Sequence, residues 1–117
     1  MIAVVVSSAN RCYYCLVAHG QAVRELSNDP QLGEMMVMNY RVAELDDRSQ
    51  KMLDFVWKLT ELPHKISDDD RQNLRGVGFS EQDIFDICET AAFFNYTNRM
   101  AHGLDMMPNA EYHGKNR

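Results

Sequence analysis

No cluster of lysine and arginine occurs in this chain, and its net charge is −5 over 117 residues. Binding nucleic acid by charge needs a basic patch, so no nucleic-acid partner is expected. No apolar run approaches the roughly 20 residues of a membrane-spanning helix, so no membrane partner is expected either. The opening run Ile2 to Val6 is too short for a signal-peptide core and lacks a basic start. A reducing, cytoplasmic setting is the expectation. Cysteine is scarce, with three in all. Three cysteines cannot all pair within one chain, which argues against a disulfide framework. In a reducing compartment a C-x-x-C reads as catalytic or metal-binding before it reads as structural. β-rich sequence is lacking as well. Ile2-Ala3-Val4-Val5-Val6 has strand propensity, but no second such run exists to pair with it. A lone strand leaves its backbone groups unpaired, so this run is expected to be a buried helix.

What remains is ordinary globular composition, 45% hydrophobic and 25% charged. One domain is expected over residues 1–108. The polar, aperiodic residues 109–117 are expected to form a loose tail. A core this small would gain from burial in an oligomer interface.

Helix signals recur along the chain. A break at Ser7-Ser8-Ala9-Asn10 leads to a second helix, with Asn10 or a neighbour as its cap, running to about Leu26. Asp29 is the expected N-cap of a third, with Pro30 at the first helical position, where a missing N–H costs nothing. Leu45-Asp46 opens a longer helix to about Leu62, with Met52, Phe55, Val56, Leu59 and Leu62 on its apolar stripe and Pro63 closing it. Ser67 followed by Asp68-Asp69-Asp70 reads as a cap with acids in the first turn rather than a cation site, because consecutive carboxylates point to different sides of a helix. Ser80 with Asp83 resembles a capping box, and the helix it opens runs on through Ile84, Ile87, Cys88 and Ala91 to Gly103. The result is an all-α domain of five or six helices.

Reactive side chains concentrate in one stretch, Asn10-Arg11-Cys12-Tyr13-Tyr14-Cys15-Leu16-Val17-Ala18-His19. On a helix turning about 100° per residue, Cys12, Cys15 and His19 fall within about 60° of one another. A cysteine in a first helical turn meets unsatisfied N–H groups and the positive end of the dipole, both of which stabilise its thiolate. Arg11 adds a positive charge. His19 can accept or relay a proton, and the second cysteine can resolve a sulfenic acid into a disulfide. The set suits peroxide reduction. Two other readings stay open. The cysteines could be inert packing, or they could hold metal, although zinc wants four ligands and only three are local. Leu16 stands where c-type haem attachment needs a histidine. Cys88 reads as core; His64 and His113 read as solvated. The eight methionines read as gap-filling core and interface.

Asn10-x-Cys12-x-Tyr14-Cys15-x-x-x-His19 resembles the core motif of the alkylhydroperoxidase D (AhpD)-like proteins of the carboxymuconolactone decarboxylase superfamily. Asp29-Pro30, Leu45-Asp46, Gly78-Phe79-Ser80 and Phe94-Asn95-Tyr96-Thr97-Asn98-Arg99 through Gly103-Leu104 resemble its peroxidase-related branch. The resemblance implies an AhpD-like helical fold and a homo-oligomer, trimeric or hexameric. It implies a thiol-dependent hydroperoxide reductase without a cofactor, served by a dithiol or protein-thiol reductant. Cys15 would be the peroxidatic thiol, Cys12 the resolving thiol, and His19 part of the proton relay. The family's relay glutamate lies about a dozen residues before the first cysteine, a count that passes Met1, so a late start or a trimmed chain is expected. Tyr14 stands where well-known members carry a histidine, and His102 is an alternative base. The alternatives are a non-catalytic or redox-sensing oligomer and, against the cysteine pair, a decarboxylase-like lyase.

Overall fold

A computed structural model describes all 117 residues, Met1 to Arg117. It is all-helical: α1 (Ile2–Ala9), α2 (Tyr13–Ser27), α3 (Pro30–Asn39), α4 (Asp47–Glu61), α5 (Asp68–Gly76), α6 (Glu81–Gly103) and a last short turn, α7 (Glu111–Gly114). Tyr40–Val42 and Pro63–Lys65 form single 3₁₀ turns.

The valine-rich opening run is a helix, and its surroundings explain its composition. α1 packs against α2, α3, α4 and α6. Val4, Val5 and Val6 are all fully buried, although consecutive residues on a helix point in different directions. A helix buried on all sides is apolar on all sides, so it shows no stripe. Around it, the core takes Met36 and Tyr40 from the α3 region, Leu53, Phe55 and Val56 from α4, Leu74 from α5, and Ile84, Ile87 and Ala91 from α6. Leu53, absent from the expected stripe, is fully buried, whereas Leu62 at the end of that stripe is exposed.

Most helix starts follow the expected chemistry. Asp29 accepts a bond from Leu32 N at 3.1 Å, and Asp46 accepts one from Ser49 N at 2.8 Å. The Ser80 box is reciprocal: Asp83 N donates to Ser80 Oγ at 3.1 Å, and Ser80 N donates to Asp83 Oδ2 at 2.8 Å. These bonds satisfy donors that a helix start otherwise leaves unpaired.

α2 and α3 approach closely because two glycines lie between them. A Cβ on Gly33 would stand 2.5 Å from Arg24 Cγ, and one on Gly20 would stand 2.8 Å from Val37 Cγ2. The Arg24 side chain passes through the space so created and is only 4% exposed. Its Nη2 donates to Tyr112 O at 3.0 Å and its Nε donates to Lys115 O at 3.1 Å. Residues 109–117 therefore do not hang free as expected. They lie against α2, held by a guanidinium that takes backbone carbonyls as its partners. Nothing in a tail without hydrophobic periodicity announces a partner 88 residues earlier in the chain.

Gly33→Ala should destabilise the fold by about 1–3 kcal/mol through overpacking against Arg24. Urea unfolding measures this directly. A loss under about 0.5 kcal/mol would mean that the α2–α3 contact is looser than described.

Candidate active site

α1 ends at Ala9, with Asn10 as its C-cap, and the chain then turns sharply. Arg11 takes a left-handed conformation, φ 53°, and Cys12 is extended, φ −85° and ψ 102°, as the N-cap of α2. The cap expected at Asn10 or a neighbour is thus Cys12, two residues beyond Asn10. Asn10 closes the first helix rather than opening the second, because its own N–H still bonds back to Val6 O at 3.0 Å. Leu16 N donates to Cys12 O at 2.8 Å as the first rung of α2. The N–H groups of Tyr13, Tyr14 and Cys15 precede that rung and form the positive end of the helix. Cys15 sits in the first turn, and Cys12 sits at its edge.

The two cysteines are joined as a disulfide, with Cα atoms 5.2 Å apart. Both are almost wholly buried, at 1% and 2% exposure, packed with Ala101 of α6 and Tyr14. Their surroundings differ. Cys15 lines a cavity of about 390 Å³ with His19, Phe93, Phe94, Tyr96 and Met100. Cys12 lines a separate cavity of about 280 Å³ that includes Arg11, His102 and Asp105. Tyr14, Ala101 and Met106 border both.

His19 follows Cys15 by one turn of α2 and faces the same cavity. Its ring meets Phe94 edge-on, with centroids 5.1 Å apart. Burial pushes its pKa below the ordinary histidine value, and the positive amino terminus pushes in the same direction. The imidazole is therefore neutral near pH 7, the form that accepts a proton. Cys88, expected in the core, packs against its margin as a free thiol, and burial raises its pKa. It is remote in sequence from the pair and lines neither cavity.

A group of polar side chains behind the disulfide escaped the reading of the sequence. Asn98 of α6 is completely buried. Its Nδ2 donates to Ser7 Oγ at 3.2 Å, and its Oδ1 accepts from Asn10 Nδ2 at 3.0 Å. Asn10 Nδ2 also reaches Asn95 Oδ1 at 2.8 Å. The backbone carbonyl of Asn98 lies 4.0 Å from Cys12 Sγ. On the outer side, His102 Nε2 bonds Asn10 O at 2.9 Å. Three residues of α6 thus grip the turn that carries Cys12. The available signal was the pair Asn95 and Asn98, amides one turn apart that continue the helical phase of the buried stripe Ile84, Ile87 and Ala91.

Two solved structures superimpose on this arrangement. A crystal structure of an uncharacterized peroxidase-related protein from Silicibacter sp. TM1040 matches 99% of the chain with a TM-score of 0.97 and 62% sequence identity. An AhpD-core, peroxidase-related protein from Ralstonia eutropha JMP134 matches 99% with a TM-score of 0.93 and 38% identity. The chain belongs with these AhpD-like, peroxidase-related proteins. It spans 61% of the length of each. No protein-family model and no curated protein matches it. In this AhpD-like domain the C-x-x-C pair stands at the start of α2, its two sulfurs bonded to each other.

The helix start should show in the thiol chemistry. In a Cys12→Ser protein, the Cys15 thiolate should titrate clearly below the free-cysteine value of about 8.5. Alkylation rate against pH reads it, and a midpoint at or above that value would contradict the activation described.

Proposed function

We propose that this domain is a thiol-dependent hydroperoxide reductase in which Cys15 is the peroxidatic thiol. The observation that carries the proposal is the placement of Cys15 in the first turn of α2, facing an apolar cavity that it shares with a neutral His19. His19 takes the thiol proton, and the thiolate attacks the terminal oxygen of the hydroperoxide. The O–O bond breaks, the alcohol leaves with a proton, and Cys15 becomes a sulfenic acid. Cys12 then attacks the sulfenic sulfur, water leaves, and the disulfide forms. The carbonyl of Asn98 beside Cys12 Sγ favours a protonated thiol there, because it can accept a hydrogen bond but repels negative charge. That asymmetry supports Cys12 as the resolving partner.

The lining of the Cys15 cavity bears on the substrate. Phenyl rings and a methionine surround the sulfur, so organic hydroperoxides with an apolar body are the proposed class, bound by burial of that body. The catalytic groups are side chains of the chain itself, without a cofactor. A dithiol or protein thiol is the proposed reductant.

A homo-oligomer completes the proposal. Phe93, Tyr96 and Met100 are exposed on one face of α6 and line the Cys15 cavity, and the exposed Leu104 follows as the C-cap of α6. A second copy covering this stripe would close the cavity from solvent. Sedimentation velocity at tens of micromolar should give a trimer or hexamer, and a monomer there would sink this part.

The second reading is a redox sensor without turnover. It is favoured by the near-complete burial of both sulfurs. Catalysis separates the two readings. Cys15→Ser should lower the consumption of cumene hydroperoxide, with dithiothreitol as reductant, by at least about a hundredfold, as expected when the nucleophile itself is removed. A variant as fast as the parent would rule out Cys15 as nucleophile. Oxidation of the reduced protein should also slow as pH falls through the His19 pKa, which lies below the ordinary value of about 6.5, because the protonated ring cannot accept the thiol proton. His19→Gln should remove that acid limb. A limb that persists in the variant would assign the proton to another base.

A further inference from the structure

The two ends of the disulfide face different cavities. Cys15 lines the apolar one and Cys12 does not; Cys12 lines the smaller, more polar one and Cys15 does not. Displacement at a disulfide is in-line. The incoming thiolate approaches the sulfur it attacks from the side opposite the sulfur that leaves. A reductant that attacks Cys12 must therefore arrive from the Cys12 side, and a peroxide that meets Cys15 arrives from the other.

The chemistry of the leaving group points the same way. A thiol of lower pKa leaves faster. Cys15, in the first turn of α2, is the better-stabilised thiolate, whereas the carbonyl of Asn98 stands against negative charge at Cys12. The cavity beside Cys12 also holds what the step needs. Asn10 O can only accept a hydrogen bond, so the His102 nitrogen 2.9 Å from it, Nε2, must carry the proton. In the neutral ring Nδ1 is then the basic nitrogen. Arg11 supplies positive charge, and Tyr13, Met106 and Met107 supply apolar surface. A cavity of about 280 Å³ has room for a short-chain dithiol.

We propose that the cavity formed by Arg11, His102, Asp105 and Met107 is the binding site for a small dithiol reductant, which attacks Cys12 with His102 as general base. This rests on the reading of Cys12 and Cys15 as the working dithiol. His102 Nδ1 takes the proton of the first thiol. The resulting thiolate attacks Cys12 Sγ, the bond to Cys15 breaks, and Cys15 leaves as a thiolate. The second thiol of the reductant then attacks the reductant's own sulfur in the mixed disulfide. Cys12 is released and takes up that thiol's proton. The reductant ends as a disulfide, two electrons poorer, and the protein as the dithiol. Peroxide reduction and thiol reduction thus use opposite faces of one bond.

The site of attack can be read without any peroxide, which separates this inference from the proposed activity. Oxidised protein is mixed with 2-mercaptoethanol, a monothiol that stops at the mixed disulfide. It is acid-quenched within milliseconds, capped with N-ethylmaleimide and mapped by fragmentation of the tryptic peptide 12–24. The mercaptoethanol adduct should sit on Cys12, with maleimide on Cys15, in at least a fivefold excess over the reverse. An excess of the reverse product would overturn the proposal, whether or not the protein consumes hydroperoxide. His102→Gln should slow reduction by dithiothreitol at least tenfold at pH 7 and less than threefold at pH 10, where the reductant, whose thiols titrate somewhat above the free-cysteine value of about 8.5, is largely ionised without a base. An equal loss at both pH values, or none, would remove His102 from the step.

Discussion

The buried amide of Asn98 ties the architecture to the chemistry. α6 crosses α1 with this side chain fully enclosed, and its two ends are matched to two residues of α1 and its cap, Ser7 and Asn10. A buried amide left unpaired costs about 1–3 kcal/mol, so α6 cannot slide along α1 by a turn without losing both bonds. That register decides what stands beside the disulfide. With Asn98 fixed, its carbonyl falls near Cys12, Ala101 packs with the two cysteines, and Met100 and His102 border opposite cavities. The polar network behind the site therefore sets the position of every α6 residue in front of it.

The turn that the network grips performs a second task. It ends one helix and starts another within three residues, Asn10 to Cys12, with Arg11 in a left-handed conformation between them. A helix continued through this point would have paired the N–H groups of Tyr13, Tyr14 and Cys15. Breaking it leaves those groups free beside the cysteine pair, where they favour a thiolate. The burial of α1 on all sides makes so short a helix stable enough to hold that turn in place. Core packing and the placement of a helix start beside the cysteine pair are thus linked through the same few residues.

Much of this was legible in the sequence where the signal is local. Asp29-Pro30, Ser80 with Asp83, and the lack of any partner strand for Ile2 to Val6 identify helices, because caps and pairing are decided by near neighbours. The reactive stretch was legible too, since two cysteines and a histidine share a short segment. The exact helix start was not. By its local sequence Asn10 could end α1 or cap α2, and the bond from its side chain to α6, some 88 residues away, is not legible there. The docking of residues 109–117 through Arg24 was hidden for the same reason, as was the role of Asn98. An asparagine in an amphipathic pattern reads as solvent-facing until its distant partners are known. The two cavities are a tertiary product, made where α6 and the segment after it pass on either side of the disulfide.

The central claim is that Cys12 and Cys15 act as a single two-electron site that exchanges oxidising equivalents with a hydroperoxide. A stoichiometric titration tests it most directly. Fully reduced protein has three thiols, and one equivalent of cumene hydroperoxide, added without reductant, should remove two of them. Peptide mapping should then find Cys12 joined to Cys15 and Cys88 still free, with one equivalent of alcohol formed. Thiol loss centred on Cys88, or an unchanged thiol count with the hydroperoxide intact, would contradict the account.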